Sequence, residues 1–251
     1  MKKFFKKTAI FLMLAAVIVG LSVLWSLYKN QEPDYNYILK NSVLNNRHFS
    51  ANVEEIQTKS GLKAYVMQDL TSLLISISFK FLHSGLAYEE EKFGRANFLA
   101  DMLTEGTKNF SPEEYREFLQ QNGIKIAFSA DYDDFDGQIT FPASEMQKAI
   151  FIIRDTLYMP RLGLSEIGLL KSRYAVAFAA QKESEREQFA QITRPILYQE
   201  TAYSRNPLGD EDAVKRLTAA DLAEFMKDHF AKDNLLISLT GAIDVKTAEN
   251  I

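Results

Sequence analysis

The sequence contains no cysteine and only three histidines, His48, His83 and His229. A chain without cysteine has no disulfide, no thiolate metal site and no thiol nucleophile. Any metal would have to be held by histidine, aspartate or glutamate. A Gly-x-Ser-x-Gly motif, the nucleophile elbow of many serine hydrolases, is also absent. With 251 residues and 47% hydrophobic content, the chain is nevertheless long enough to bury a sizeable core.

Positive charge is also scarce beyond the N-terminus. Four of the 29 basic residues are lysines at positions 2, 3, 6 and 7, and the first 28 residues contain no acid. The rest of the chain therefore carries 25 basic residues against all 33 acidic ones. This acidic balance argues against nucleic acid as a partner.

An uncharged run from position 8 to position 28 follows these lysines. As a helix it would be roughly 32 Å long, enough to cross a bilayer. The run is longer than the apolar region of a signal peptide and ends in bulky residues, so an uncleaved anchor is favoured over a cleaved signal. The lysines place the following domain on the non-cytoplasmic side, which is periplasmic or extracellular in a bacterium. A cleaved segment would make the domain a secreted one.

The remaining pattern predicts an α+β domain. Residues 29–52 read as a linker, and the domain spans 53–251. Its predicted order is three strands, two helices, two strands, several helices and a strand, giving a mixed β-sheet with helices packed on it. Residues 164–202 are predicted to form one long helix or two in series, with Pro195 as the kink.

One stretch carries a specific motif. Residues 94–107 read GRANFLADMLTEGT. The sequence resembles the N-terminal half of the insulinase/pitrilysin-like zinc metallopeptidases, whose zinc helix has the form G-x-A-H-F-L-E-H-M-L-x-x-G-T. The residues that match this frame are Gly94, Ala96, Phe98, Leu99, Met102, Leu103, Gly106 and Thr107. The Asn-Pro-Leu-Gly of residues 206–209 also resembles the family. The resemblance implies the family's N-terminal α+β fold.

The chemical positions of that motif are substituted. Asn97 and Asp101 stand where the family has its two zinc-binding histidines, and Ala100 stands where it has the catalytic glutamate. The family's third ligand is a downstream glutamate, whereas residues 167–182 contain no acid and no histidine. The resemblance therefore implies no catalytic residue, no metal ligand and no cofactor in this chain, although active relatives use zinc.

The family pairs two similar halves, and this chain ends after the first. The favoured hypothesis is a noncatalytic homologue whose partner is a second insulinase-type chain bearing the zinc motif. Two alternatives stay open. One is a weak metal-dependent endopeptidase that uses Asn97, Asp101 and a further acid, and the other is a truncated fragment without function.

A predicted strand supplies the candidate substrate site. Members of this family hold extended peptide at a sheet edge, which implies peptide binding at Ala127, Phe128, Ser129, Ala130 and Asp131. An ordinary internal strand is the alternative. The following residues 131–137, DYDDFDG, are dense in acids but do not match the ligand spacing of a calcium loop, so an acidic turn is predicted.

Overall fold

The chain divides into two compact units, residues 1–50 and 51–251. The computed structural model describes residues 52–59 and 61–250 and, in the first unit, Trp25 alone. The predicted anchor and linker therefore lie outside the described residues, apart from Trp25 and Asn52, and remain predictions. Within the described ranges, no helix has the length and apolar character needed to cross a bilayer.

Six strands form a single sheet in the described part of the second unit. In chain order they are β1 (Glu54–Gln57), β2 (Lys63–Gln68), β3 (Leu74–Phe81), β4 (Lys125–Ala130), β5 (Phe135–Pro142) and β6 (Leu235–Gly241). Their spatial order is β1-β2-β6-β3-β5-β4. The β2–β6 pair is parallel and the other pairs are antiparallel. The predicted α+β class with a mixed sheet is confirmed.

Eight α-helices accompany the sheet in the same part of the chain. They are α1 (Arg95–Met102), α2 (Pro112–Gln121), α3 (Met146–Tyr158), α4 (Leu164–Glu183), α5 (Glu185–Tyr198), α6 (Glu211–Arg216), α7 (Ala219–His229) and α8 (Val245–Ala248). Side chains of β3 and β5 alternate between buried positions, which are mostly apolar, and more exposed positions, which are mostly polar. The buried ones form one core with apolar residues of the helices.

Local sequence signals explain several element boundaries. Ser111 and Glu114 form a capping box at the start of α2, and Thr218 and Asp221 form one at the start of α7. Each box satisfies backbone N–H groups that the first turn of a helix leaves without partners. These helices therefore begin where their capping residues predict.

The predicted two helices in series are present as α4 and α5, but they do not divide at Pro195. The break lies at Ser184, whose backbone is extended (φ −83°, ψ 115°) and whose hydroxyl accepts the Glu187 N–H. Pro195 lies inside α5. A hydroxyl that caps a new helix stabilises a break, because it replaces hydrogen bonds that the preceding helix no longer supplies. The short helices α6 and α8 were also absent from the prediction.

Helix α1 begins against a loop from a distant part of the chain. Gly94 and Gly209 both have left-handed backbones, with φ values of 104° and 95°. A Cβ atom on Gly209 would lie 2.5 Å from the Gly94 Cα, so the two backbones are in direct contact. The Asp210 N–H donates to the Phe93 carbonyl oxygen at 3.1 Å. This contact fixes the point at which α1 starts.

A buried carboxylate caps α1 in place of a side chain at Gly94. Glu89 is 1% exposed and accepts the N–H groups of Gly94 and Ala96, each at 2.6 Å. Burial raises the pKa of Glu89 to about 7, although these hydrogen bonds and the charges of Arg95 and Arg205 favour the ionised form. The carboxylate thus lies at the positive end of the helix dipole.

We expect Gly209→Ala to lower the free energy of unfolding by at least about 2 kcal/mol more than Gly61→Ala. Gly61 is the matched control because its φ is also positive, at 83°, but no atom lies within 4 Å of the position of its Cβ. The difference between the variants therefore isolates the backbone contact with Gly94. Chemical denaturation of the full chain measures both values, and equal losses would contradict a structural role for this contact.

Candidate functional site

The substituted positions of α1 face a cleft of about 740 Å³. Asn97, Ala100 and Asp101 line one wall, and Phe128 and Ser129 of β4 line another. Helices α4 and α5 and the Pro207–Leu208 segment complete it. The structure thus brings the motif helix and part of the predicted peptide-binding strand into the same cleft.

Asn97 is hydrogen bonded to the protein itself. Its side-chain Nδ2 donates to the Pro207 carbonyl oxygen at 2.5 Å. Pro207 belongs to the same loop that contacts Gly94 through Gly209. The amide therefore joins α1 to this loop one turn beyond the glycine contact.

Asp101 is held from the opposite wall by a tyrosine. The Tyr174 hydroxyl on α4 donates to Asp101 Oδ2 at 2.9 Å. Removal of water by the surrounding protein raises the pKa of Asp101, although the Tyr174 hydrogen bond and the charge of Arg173 oppose this. Burial and the Asp101 carboxylate both raise the pKa of Tyr174. The Tyr174 phenol is thus the donor of this pair and the Asp101 side-chain oxygen is the acceptor.

A neighbouring ion pair joins α4 to the segment that follows α1. The Arg173 guanidinium donates to Glu105 Oε1 at 2.5 Å, and this bond raises the pKa of Arg173. Glu105 is buried, whereas the Arg173 side chain is about half exposed. Two polar contacts from adjacent α4 residues therefore hold the C-terminal end of the motif helix.

The position of the family's catalytic glutamate holds a small buried side chain. Ala100 is 3% exposed. A methyl group has no proton to transfer and cannot orient a water molecule. Over residues 52–59 and 61–250, no three histidine, aspartate or glutamate side chains form a group that could hold a metal ion.

Strand β4 forms one edge of the six-stranded sheet. The Asp131 N–H donates to the Asp134 carbonyl oxygen across the hairpin end. Because antiparallel ladders alternate, Ser129 and Ala127 pair with β5, whereas the backbone groups of Phe128 and Ala130 point away from it. The edge therefore presents N–H and C=O groups to an added strand.

Asp131 lies beyond β4, in the turn that joins it to β5. Its Oδ1 accepts the N–H groups of Asp133 and Asp134, each at 2.8 Å. Lys80 on β3 forms ion pairs with Asp134 and Asp136 at 3.1 and 3.0 Å. These carboxylates bind groups within the sheet and the turn itself, as expected for an acidic turn rather than a calcium loop.

Tyr174, Arg173 and Glu89 were missed in the sequence analysis. Tyr174 and Asp101 are 73 positions apart, and no local pattern links them. Glu89 opens a run of three glutamates at 89–91, and nothing in that run indicates which of them is buried. The Asn-Pro-Leu-Gly segment at 206–209 was the sequence signal for the loop that contacts Gly94 and Asn97.

Known proteins match both the sequence and the fold. The family model for insulinase (Peptidase family M16) matches residues 76–211. The Non-peptidase homolog YmxG of Helicobacter pylori is 22% identical over 170 residues, which cover 67% of this chain and 39% of that protein. The chain therefore spans well under two thirds of the length of this relative.

Two solved structures share the fold. The peptidase M16 inactive domain from Pseudomonas fluorescens has a TM-score of 0.75 and 19% identity, covering 79% of this chain and 48% of that one. The first half of the periplasmic protease PqqL from Escherichia coli has a TM-score of 0.69 and 21% identity, covering 78% and 44%. Because the family model matches more than half of the sequence, the chain belongs to the insulinase family of peptidases, Peptidase family M16.

Proposed function

We propose that this chain is a noncatalytic insulinase-family subunit that pairs with a second family chain bearing the zinc motif and helps to hold extended peptide. The observation that carries the proposal is the division of α1 into two faces. Phe98, Leu99 and Met102 are fully buried, so the packing side of the motif is intact. On the cleft side, Asn97 and Asp101 are bonded to this chain's own atoms.

The relatives support this proposal. One is described as a non-peptidase homologue, and another as an inactive M16 domain. A third neighbour is the first half of a longer protease. A second family chain would supply both a complementary half and the chemistry that Asn97, Ala100 and Asp101 do not provide.

Helix α5 offers a surface for such a partner. Phe189, Ile192 and Ile196 are 69%, 66% and 69% exposed, and their spacing places them on one side of the helix. Glu187 and Arg194 line the cleft from the opposite side of the same helix. A contiguous exposed apolar stripe is typical of a protein interface. We assign this α5 stripe (Phe189, Ile192, Ile196) to the partner chain.

The first prediction of this proposal concerns bound zinc. We expect the full chain, dialysed against trace zinc, to retain far less than one zinc per chain by elemental analysis. Asn97→His combined with Asp101→His should raise the zinc content, because imidazoles at i and i+4 can share one ion. Glu113→His with Glu117→His, which has the same spacing on the exposed side of α2, is the control that measures how much zinc the spacing alone retains. A wild-type chain with one zinc that Asp101→Ala removes would overturn the noncatalytic assignment.

The second prediction concerns the partner. The full chain, purified from its native membranes or medium, should carry a second chain with an H-x-x-E-H motif, identified by mass spectrometry. Replacing all three residues of the α5 stripe with aspartate should abolish co-purification, because three charges would have to be buried at the interface. Aspartate at Leu70 and Leu73, which are 73% and 84% exposed, is the matched control. Isolation of the wild type as a lone monomer would contradict the pairing.

The third prediction concerns peptide binding. Ala130→Pro should weaken binding of a fluorescein-labelled pool of extended peptides, measured by anisotropy, by roughly tenfold, which corresponds to about 1.4 kcal/mol. Proline removes the outward N–H of β4 but no ladder bond to β5. A melting temperature near that of the wild type serves as the control for folding. Unchanged peptide affinity in a folded variant would exclude this edge as the binding site.

A further inference from the structure

A second large cavity lies away from the motif helix. It has a volume of about 950 Å³ and is bounded by the end of α3, residues 160–163 and helix α7. None of its lining residues lines the motif cleft. Its apolar wall consists mainly of Phe81, Leu157, Leu162, Met226, Phe230 and Leu235. We call it the α3–α7 cleft.

Small residues on α7 keep this cleft open. Ala219, Ala220 and Ala223 line it, and Ala220 and Ala223 are exposed. Because an alanine side chain ends at Cβ, this side of α7 does not fill the space in front of Leu157 and Leu162. A concave apolar cavity of this size is within the usual range for small-molecule sites.

A smaller apolar cavity, which we call the narrow extension, adjoins the cleft. It has a volume of about 190 Å³, lies between α3 and the sheet, and shares Leu62, Phe81, Leu157 and Leu235 with the lining of the cleft. Its further lining includes Ile77, Phe79, Ile139, Ile150, Ile153 and Leu239, and its polar residues are Thr58 and Arg154. An extended peptide would lose the hydrogen bonds of its amide groups in such surroundings, whereas an alkyl chain has none to lose.

The entrance of the cleft is basic. Among the residues that the structure describes, four cationic side chains and no aspartate or glutamate line it, although the whole chain has a net charge of −4. The cations are Lys108, Arg161, Lys227 and Lys232. Arg161 also pairs with Glu166 at 2.7 Å. Lys108 and Lys227 are exposed at the entrance and are the two cations that we assign to a head group. Clustered cations beside an apolar cavity favour an anionic head group.

We infer that the α3–α7 cleft binds a long-chain fatty acid. The alkyl chain runs through the apolar part of the cleft and its methyl end enters the narrow extension between α3 and the sheet. The carboxylate lies at the entrance beside Lys108 and Lys227. The apolar interior provides most of the affinity, and the cations select a charged head group over a neutral one. The inference does not depend on the motif cleft or on a partner chain.

Photolabelling of the full chain tests this assignment. The probe is hexadecanoic acid with a diazirine near its methyl end, added to protein kept in solution by an amphipathic polymer. Peptide mass spectrometry should place the label on α3 at Ile150–Leu157 or on β6 at Leu235–Leu239. Unlabelled hexadecanoic acid should compete at least about tenfold better than hexadecanol, because only the acid carries the charge that the entrance selects.

Charge reversal provides the second arm. Lys108→Glu combined with Lys227→Glu should reduce labelling at these sites about tenfold or more, through repulsion of the carboxylate. Both lysines are exposed, so the variant should fold, and a near-unchanged melting temperature checks this. Lys125→Glu combined with Lys171→Glu, at an exposed and a partly exposed lysine outside the cleft, is the matched control.

Three results would overturn the inference. Label confined to residues 8–28 or to the α5 stripe would show unspecific partition into apolar segments. Equal competition by the acid and the alcohol would remove the role of the basic entrance. Displacement of the probe by an apolar peptide at lower concentration than by hexadecanoic acid would identify the cleft as a peptide site.

Discussion

The contact between Gly94 and Gly209 is the constraint on which the geometry of the motif cleft depends. It brings the start of α1 against a loop more than 100 residues away, at a distance that excludes any side chain. Asn97 donates to the Pro207 carbonyl oxygen, and Glu89 accepts the N–H groups of Gly94 and Ala96 at the start of α1. These contacts together set the direction of the helix and therefore which of its residues face the cleft. They require neither a metal nor a catalytic base.

The buried face and the cleft face of α1 obey different constraints, which explains how the fold can be kept while the residues at the chemical positions change. The buried residues of α1 are fixed by packing, since interior volume is filled as closely as in organic crystals. The cleft-facing residues obey a different requirement, because each polar group needs only a hydrogen-bond partner. Tyr174 satisfies that requirement for Asp101 without forming a metal site. Membership of the insulinase family therefore determines the scaffold but not the reaction.

Local chemistry made much of the fold predictable from sequence. Ser111 and Thr218 form capping boxes, which are local sequence patterns that indicate helix starts, and the acidic turn predicted at 131–137 contains the connection between β4 and β5. The helix boundary at Ser184 was not predicted, because proline is the stronger sequence signal for a kink. A proline inside a helix can nevertheless be accommodated by local bending.

In the cleft, the substituted motif positions were predictable because the surrounding frame was intact. The contacts of Tyr174, Arg173 and Glu89 were not predictable, because tertiary packing decides which residues they meet.

The two sides of α5 connect the cleft to the proposed assembly. Its inner side presents Glu187 and Arg194 to the motif cleft, and its outer side presents the α5 stripe to solvent. A partner that covers the stripe would remove apolar area from water and would at the same time restrain the helix that forms one wall of the cleft. Since α5 is separated from α4 by the extended residue Ser184, its orientation is held by fewer backbone bonds than that of a continuous helix. Binding at the outer side would therefore be expected to narrow the range of cleft geometries, which links partner binding to peptide binding through a single helix.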